Sequence, residues 1–336
     1  MLNVVIGATG HLGNVLVRSL VEKGEKVRAV VLPNDDLTPI KGLDVEVVRG
    51  DITDLPSLNE ALSGAGVVYH LASAVNISSG NRTQLEKVNV EGTKNVISAA
   101  LKNRIDRLIY TSSVHAILEP PHGTVMDETQ PFAPEKVLGD YAKTKAKASI
   151  EVLNAVKEYG LDAVILCPSG IIGPYDFRIS EMGQLMLDFI EGRLKAYVDG
   201  AYDFADVRDV ANGHILAAEK GKKGEYYILS GHRITIEKLL NLLERITGIK
   251  KPVHKMPYTL ALFTAPLTPI YYYFTKTKPL FTTYSIRVLA SNSYISHKKA
   301  SRELGYTVRP IEESLIDAYN WFVQNGFVRS KYLKSG

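Results

Sequence analysis

The stretch LNVVIGATGHLGNVLV, residues 2–17, decides the fold. Leu2 to Ile6 is a short apolar, largely β-branched run that predicts a strand. Gly7 to Gly13 holds three glycines, and Asn14 to Lys23 then puts Val15, Leu16, Ser19 and Leu20 on one helical face. A tight glycine turn between a strand and a helix lets backbone approach a pyrophosphate closely. It also leaves N–H groups at a helix N-terminus facing an anion. This opening therefore points to a nucleotide-binding βαβ unit.

The same rhythm continues outward. Gly24 closes the first helix and Val27 to Leu32 predicts a second strand. The pattern recurs through Val45 to Val48, Leu55 to Leu62, Val67 to Ala72, Val90 to Lys102, Arg107 to Ser112, Tyr141 to Glu158 and Ala163 to Leu166. Such alternation predicts an α/β fold of Rossmann type, a doubly wound parallel sheet with helices on both faces. Val207 to Lys220 and Tyr226 to Leu229 read as a helix and strand returning to that sheet. The expected division is residues 1–170 plus about 207–229 for the dinucleotide-binding domain. A smaller, mainly helical substrate domain takes about 171–206 plus 230–330, with helices over Ile236 to Thr247, Ser285 to Ala290 and Ile311 to Gln324.

The 336 residues, 45% of them hydrophobic, suffice for a sizeable core. Forty Lys and Arg against 36 Asp and Glu give a net charge of only +4, scattered along the chain, so nucleic acid is not an expected partner. Cys167 is the one cysteine and excludes an internal disulfide. Met1 to Gly7 run straight into a strand pattern with no basic leader, so a cytoplasmic protein is expected. Met256 to Thr275 complicates this, being 20 residues without a charge between Lys255 and Lys276. Pro257, Pro266 and Pro269 argue against a spanning helix and favour a buried or substrate-lining segment, with weak membrane-surface association left open.

Tyr141 and Lys145 lie one helical turn apart on one face. A phenol titrates near pH 10, and an ammonium beside it favours phenolate, which makes the pair an acid–base device. Tyr110-Thr111-Ser112-Ser113 stands at a strand end ahead of it, where a serine hydroxyl can stabilise charge on a carbonyl oxygen.

With Gly7, Gly10 and Gly13 in Gly-x-x-Gly-x-x-Gly spacing, these residues resemble the extended short-chain dehydrogenase/reductase family, also described as the NAD-dependent epimerase/dehydratase superfamily. The resemblance covers nearly the whole chain. It implies that Ser113, Tyr141 and Lys145 are catalytic, Ser113 polarising the carbonyl and Lys145 also holding the nicotinamide ribose. It implies cofactor contacts at Thr9, His11, Leu12 and the three glycines, and at Asp51 and Ile52 beside adenine. Leu71, Ala72 and Ser73 run along the cofactor, Asn89 supports the active-site helix, Thr111 stands at the strand end, and Pro168, Ser169, Gly170 and Ile171 pass under the nicotinamide. No metal site is expected.

Cofactor discrimination falls at the end of strand two. The family would carry an acid near Val31 or an arginine near Leu32, and neither is present. Asp35 or Asp36 can reach the ribose, whereas Arg28 should point away on the pleat. The cofactor is therefore expected to be NAD(P), with NAD and NADP both open. Tyr258, Phe263, Tyr271, Tyr272, Tyr273, Phe274, Phe281 and Tyr284 make the second domain aromatic, which suits an apolar substrate. The subgroup most resembled is dihydroflavonol-reductase-like and 3β-hydroxysteroid-dehydrogenase-like. The expected reaction is hydride transfer between nicotinamide and a hydrophobic ketone, aldehyde or secondary alcohol. His115, just past Ser113, either faces that substrate or is a solvated loop residue. A sugar-nucleotide epimerase with tightly held NAD and a non-catalytic NAD(P) sensor are the alternatives. Helices Val90 to Lys102 and Tyr141 to Glu158 resemble those of the family's dimer contact, so a homodimer is expected.

Overall fold

A computed structural model describes residues 1–75, 82–267 and 282–329. Strands β1 (Leu2–Ile6), β2 (Lys26–Val31), β3 (Glu46–Arg49), β4 (Val67–His70), β5 (Arg107–Thr111), β6 (Ala163–Pro168) and β10 (Tyr226–Leu229) form one seven-stranded sheet in the order β10-β6-β5-β4-β1-β2-β3. Every pairing in it is parallel. The run of strands outward from β1 reverses at β4, so a crevice opens at the C-terminal ends of β1 and β4.

Strand alternation distributes the core to both faces. Val4, Ile6, Val68 and Leu108 pack under α2 (Leu55–Ala61), α3 (Gly92–Asn103) and α4 (Asp140–Tyr159). Val5, Ala29, Tyr69 and Ile109 point the other way, against α1 (His11–Glu22) and α6 (Val207–Lys220). Arg28 does point away from the crevice, onto Glu46 and the carbonyls of Ala61 and Ser63.

The smaller part has its own apolar cluster, in which Ile172, Met186 and Phe189 meet Leu239, Leu243, Trp321 and Phe322. It is mixed rather than mainly helical. Strands β7 (Gly170–Ile172), β9 (Ala201–Asp206) and β11 (His232–Thr235) make one small sheet, and β8 (Ala196–Val198) pairs with β12 (His254–Met256) in another. Helices α5 (Glu181–Ile190), α7 (Ile236–Thr247), α8 (Tyr258–Thr264), α9 (Thr283–Leu289), α10 (Lys298–Leu304) and α11 (Ile311–Gln324) complete the chain. Helix α10 sits on the large sheet's side, where Ala300 and Leu304 join the cluster of α1 and α6. Asp206 caps α6 through the Arg208 N–H and pairs with the Arg208 guanidinium, while Asp209 accepts from Arg309 ahead of α11.

Of the charge-free run, Tyr258–Thr264 is helical, and residues 268–275 lie outside the described residues, as do Tyr271, Tyr272, Tyr273, Phe274 and Phe281. No helix among the described residues is long and apolar enough to cross a membrane.

His70 and His214 are both fully buried, and burial drives their pKa down to about 3 and about 4. Unfolded, each takes up a proton near pH 6.5, so between there and pH 4 the unfolded chain binds more protons and stability rises with pH. The buried carboxyls of Glu128 and Asp203, pushed up by burial, act in the opposite sense. Each histidine should contribute roughly 1 kcal/mol per pH unit in that window. Thermal melts should show Tm falling from pH 7 to pH 5, with a shallower slope in a His70→Gln/His214→Gln variant. An unchanged slope would contradict this assignment.

Candidate active site

Two backbone contacts bring helix α1 against the crevice. A Cβ on Gly13 would stand 2.1 Å from the Gly7 carbonyl oxygen, and one on Gly7, whose φ is +88°, would stand 2.9 Å from the Ala72 nitrogen. Neither neighbour is a flexible side chain, so only glycine fits. Gly10 caps α1 with no side-chain hydrogen bond, so the N–H groups of His11 and Leu12 open the helix without a capping oxygen from Gly10. A phosphate-bearing dinucleotide fits this cradle, whose shape any added side chain would fill.

Around the loop, the Thr9 hydroxyl donates to Asp35 Oδ2 at 2.6 Å, and Leu32 is exposed at the end of β2. Asp51 accepts from the Thr53 N–H and hydroxyl, and Ile52 is buried against Gly92. Leu71, Ala72 and Ser73 leave β4 beside the glycine loop. Asn89 ties that segment to α4: it accepts from the Ala74 N–H at 2.8 Å and donates to the Ala74 carbonyl and the Thr144 hydroxyl. It thereby struts the segment after β4 against the start of α4. Thr111 faces two ways: its hydroxyl meets His214 on α6 at 2.8 Å, and its carbonyl accepts from Lys145 at the site.

Ser113 follows β5 in extended backbone and accepts from the His115 N–H at 3.2 Å. Tyr141 lies in the first turn of α4, behind Gly139, whose φ of +88° and missing side chain admit the ring of Tyr284. Burial pushes the Tyr141 phenol up to about 12, while hydrogen bonds with Ser113 and Ser73 pull it down. The expected depression by Lys145 is not found here. Lys145 is 2% exposed, donates to the Thr111 carbonyl at 2.5 Å and lies 4.6 Å from the Tyr110 ring centre. Its burial lowers its own pKa to about 7. Desolvation therefore governs both groups, in opposite directions.

Beside Ser113 and Tyr141 lies a cavity of about 440 Å³. Its apolar wall comes from Met182 and Leu185 of α5, Ile236 and Leu240 of α7, and Ile286 and Leu289 of α9. No Lys or Arg is among its described lining residues. Ser169, Gly170 and Ile171 pass along it, with Gly170 so close to Tyr202 and Phe204 that a Cβ would stand 2.7 Å from each ring. His115 lines it too, its Nε2 at 2.6 Å from the Tyr202 hydroxyl, and burial lowers its pKa to about 4, so it is neutral at physiological pH. His115 thus stands in the cavity wall rather than in a solvated loop. Phe263, counted with the aromatic lining, is instead 80% exposed, and among the described residues of that set Tyr284 is found in the wall.

The family model described as NAD dependent epimerase/dehydratase matches residues 3–230. The chain belongs to this family. It is 39% identical over 335 residues to sterol demethylase protein B of Methylococcus capsulatus, covering 98% of this chain and 100% of that one. It is 34% identical to a putative dihydroflavonol 4-reductase of Synechocystis sp., covering 97% and 96%. The crystal structure of gox2253 superposes with a TM-score of 0.86 at 35% identity, covering 98% of this chain and 99% of that one.

Sequence reasoning missed Tyr202 and Arg178, the latter paired with Asp35 beside the glycine loop. Tyr202 alternates with buried Asp203 on β9, a strand signal too short to stand out, and Arg178 shows its partner only in three dimensions. Gly13→Ala should lose at least about tenfold in dinucleotide affinity, since the cradle must open to admit the methyl. Titration followed by nicotinamide fluorescence checks this, and wild-type affinity would contradict the fit.

Proposed function

We propose that this NAD(P)-dependent oxidoreductase interconverts a bulky, lipophilic secondary alcohol and its ketone. The observation that carries the reading is the cavity beside Ser113 and Tyr141, walled by Met, Leu and Ile and free of Lys and Arg among its described lining residues. Such walls take up an apolar ring system by desolvation, with few polar anchors. A nucleoside diphosphate would need cations that this wall does not offer. The names of the relatives agree: besides the sterol and dihydroflavonol proteins, similar chains include a farnesyl-dihydroquinoline-oxide ketoreductase of Stigmatella aurantiaca and a 3β-hydroxysteroid-dehydrogenase/decarboxylase of Arabidopsis thaliana.

The chemistry divides among residues already placed. The Ser113 hydroxyl orients and polarises the reacting oxygen. Tyr141, with its pKa pushed up to about 12, holds its proton at neutral pH and donates it when an alkoxide forms beside it. In the alcohol-to-ketone direction the phenol must release that proton, which the hydrogen bonds with Ser113 and Ser73 favour by stabilising phenolate. The nicotinamide of a dinucleotide held at the Gly7–Gly13 loop would supply or accept the hydride. The His115 and Tyr202 pair offers a neutral polar contact deeper in the cavity.

A homodimer through α3 and α4 belongs to the same reading. These helices lie side by side and are bridged by Lys94 and Glu151 at 3.7 Å. Light scattering should give twice the chain mass, and a monomer would contradict it.

With a panel of lipophilic alcohols and ketones and both cofactors, nicotinamide absorbance should report turnover on ring-bearing secondary alcohols or their ketones. Tyr141→Phe should lower kcat at least about 100-fold while cofactor affinity persists. Full activity in Tyr141→Phe, or turnover confined to nucleotide sugars, would overturn the proposal.

A further inference from the structure

The end of β2 lacks the arginine that would read an adenosine 2′-phosphate, yet two guanidinium groups reach that place from elsewhere. Arg49, the last residue of β3, donates from Nη1 to the Leu32 carbonyl at 2.8 Å and lies 3.4 Å from the Asp35 carbonyl. Arg178, from the smaller part of the chain, donates to the Thr9 hydroxyl at 2.8 Å and pairs with Asp35 Oδ1 at 2.7 Å. One arginine thus holds the loop's backbone and the other its carboxylate.

The segment presenting Arg178 is tied down at both ends. His11 Nε2 lies 2.9 Å from the Pro174 carbonyl, and Asn14 Nδ2 donates to the Tyr175 carbonyl at 3.1 Å. Buried Asp176 accepts from the Ser180 N–H and hydroxyl. Tyr175 and Ile179, on either side of Arg178, have φ of +68° and +45°. Non-glycine residues occupy that region only when their surroundings hold them there, and such strain concentrates at functional sites. Here it fixes the bend that turns Arg178 back over the glycine loop.

We propose that Arg49 and Arg178 together form a 2′-phosphate site, so that the chain takes NADP(H) in preference to NAD(H). This rests on the dinucleotide reading of the glycine loop and names which dinucleotide it is. Asp35, which alone would repel the phosphate, has its charge offset by Arg178 and is further engaged by the Thr9 hydroxyl. Asp36 accepts from the N–H and hydroxyl of Thr38. Arginine's planar fork is suited to phosphate, and two such forks at one ribose give a charge contact that NAD cannot use.

The test compares adenosine 2′,5′-bisphosphate with AMP, and NADPH with NADH, by calorimetric titration of the full chain. The 2′-phosphorylated ligand of each pair should bind at least about tenfold more tightly. Arg49→Met and Arg178→Met should each shrink that ratio, and the double variant should remove it. Arg178→Lys, which keeps the charge without the fork, should fall between. Thermal melts confirm that each variant is folded. A wild-type preference for NADH, equal binding of both dinucleotides, or an equal loss for NADH and NADPH in the variants would overturn the proposal. Binding of neither dinucleotide would instead overturn the oxidoreductase reading itself, and this inference with it.

Discussion

The contact between Gly13 and the Gly7 carbonyl is the constraint on which the site depends. With only 2.1 Å available to a Cβ, the first helix can lie against the first strand only if that position carries no side chain. The close approach sets the helix N-terminus over the crevice where strand order reverses. From the same helix, His11 and Asn14 hold the Pro174–Tyr175 carbonyls, which ties the smaller part of the chain to the glycine loop. The glycine loop and the cavity wall are therefore registered to each other through one helix.

Burial then shapes the chemistry. Tyr141 and Lys145 sit where water is largely excluded, and desolvation moves the phenol up and the ammonium down. Each group is thereby biased toward its neutral form, and small additions of charge at the site carry more weight than they would in water. His115 is held neutral by the same effect. The described cavity wall is mostly apolar, and in the proposed function that surface suits a ring-bearing alcohol better than a charged sugar nucleotide.

The large sheet was legible in the sequence because its strands are apolar runs separated by amphipathic helices, a pattern with a clear period. Gly7, Gly10 and Gly13, and the turn-spaced Tyr141 and Lys145, were legible for the same reason: their geometry is local. The smaller part was harder to read. Gly170–Ile172 has only three residues, and Ala201–Asp206 buries Asp203 and Asp206, so neither reads as an apolar run and a mixed region looked mainly helical. Tyr202 and Arg178 act through partners 87 and 143 positions away in sequence (His115 and Asp35), which no spacing rule reaches. Pleat direction at a strand end cannot be told from residue type, so residue type did not show that the Thr111 hydroxyl meets His214 on one face while its carbonyl takes the Lys145 ammonium on the other.

The central claim is that Ser113 and Tyr141 act on an oxygen carried by a lipophilic ring system lodged in the adjoining cavity. A crystal structure of the chain with dinucleotide and a turned-over alcohol tests this most directly. It should show the carbinol oxygen within hydrogen-bond distance of both hydroxyls and the ring system against Met182, Leu240 and Leu289. A ligand whose reacting oxygen lies away from Ser113 and Tyr141, or whose rings lie outside that wall, would contradict the account.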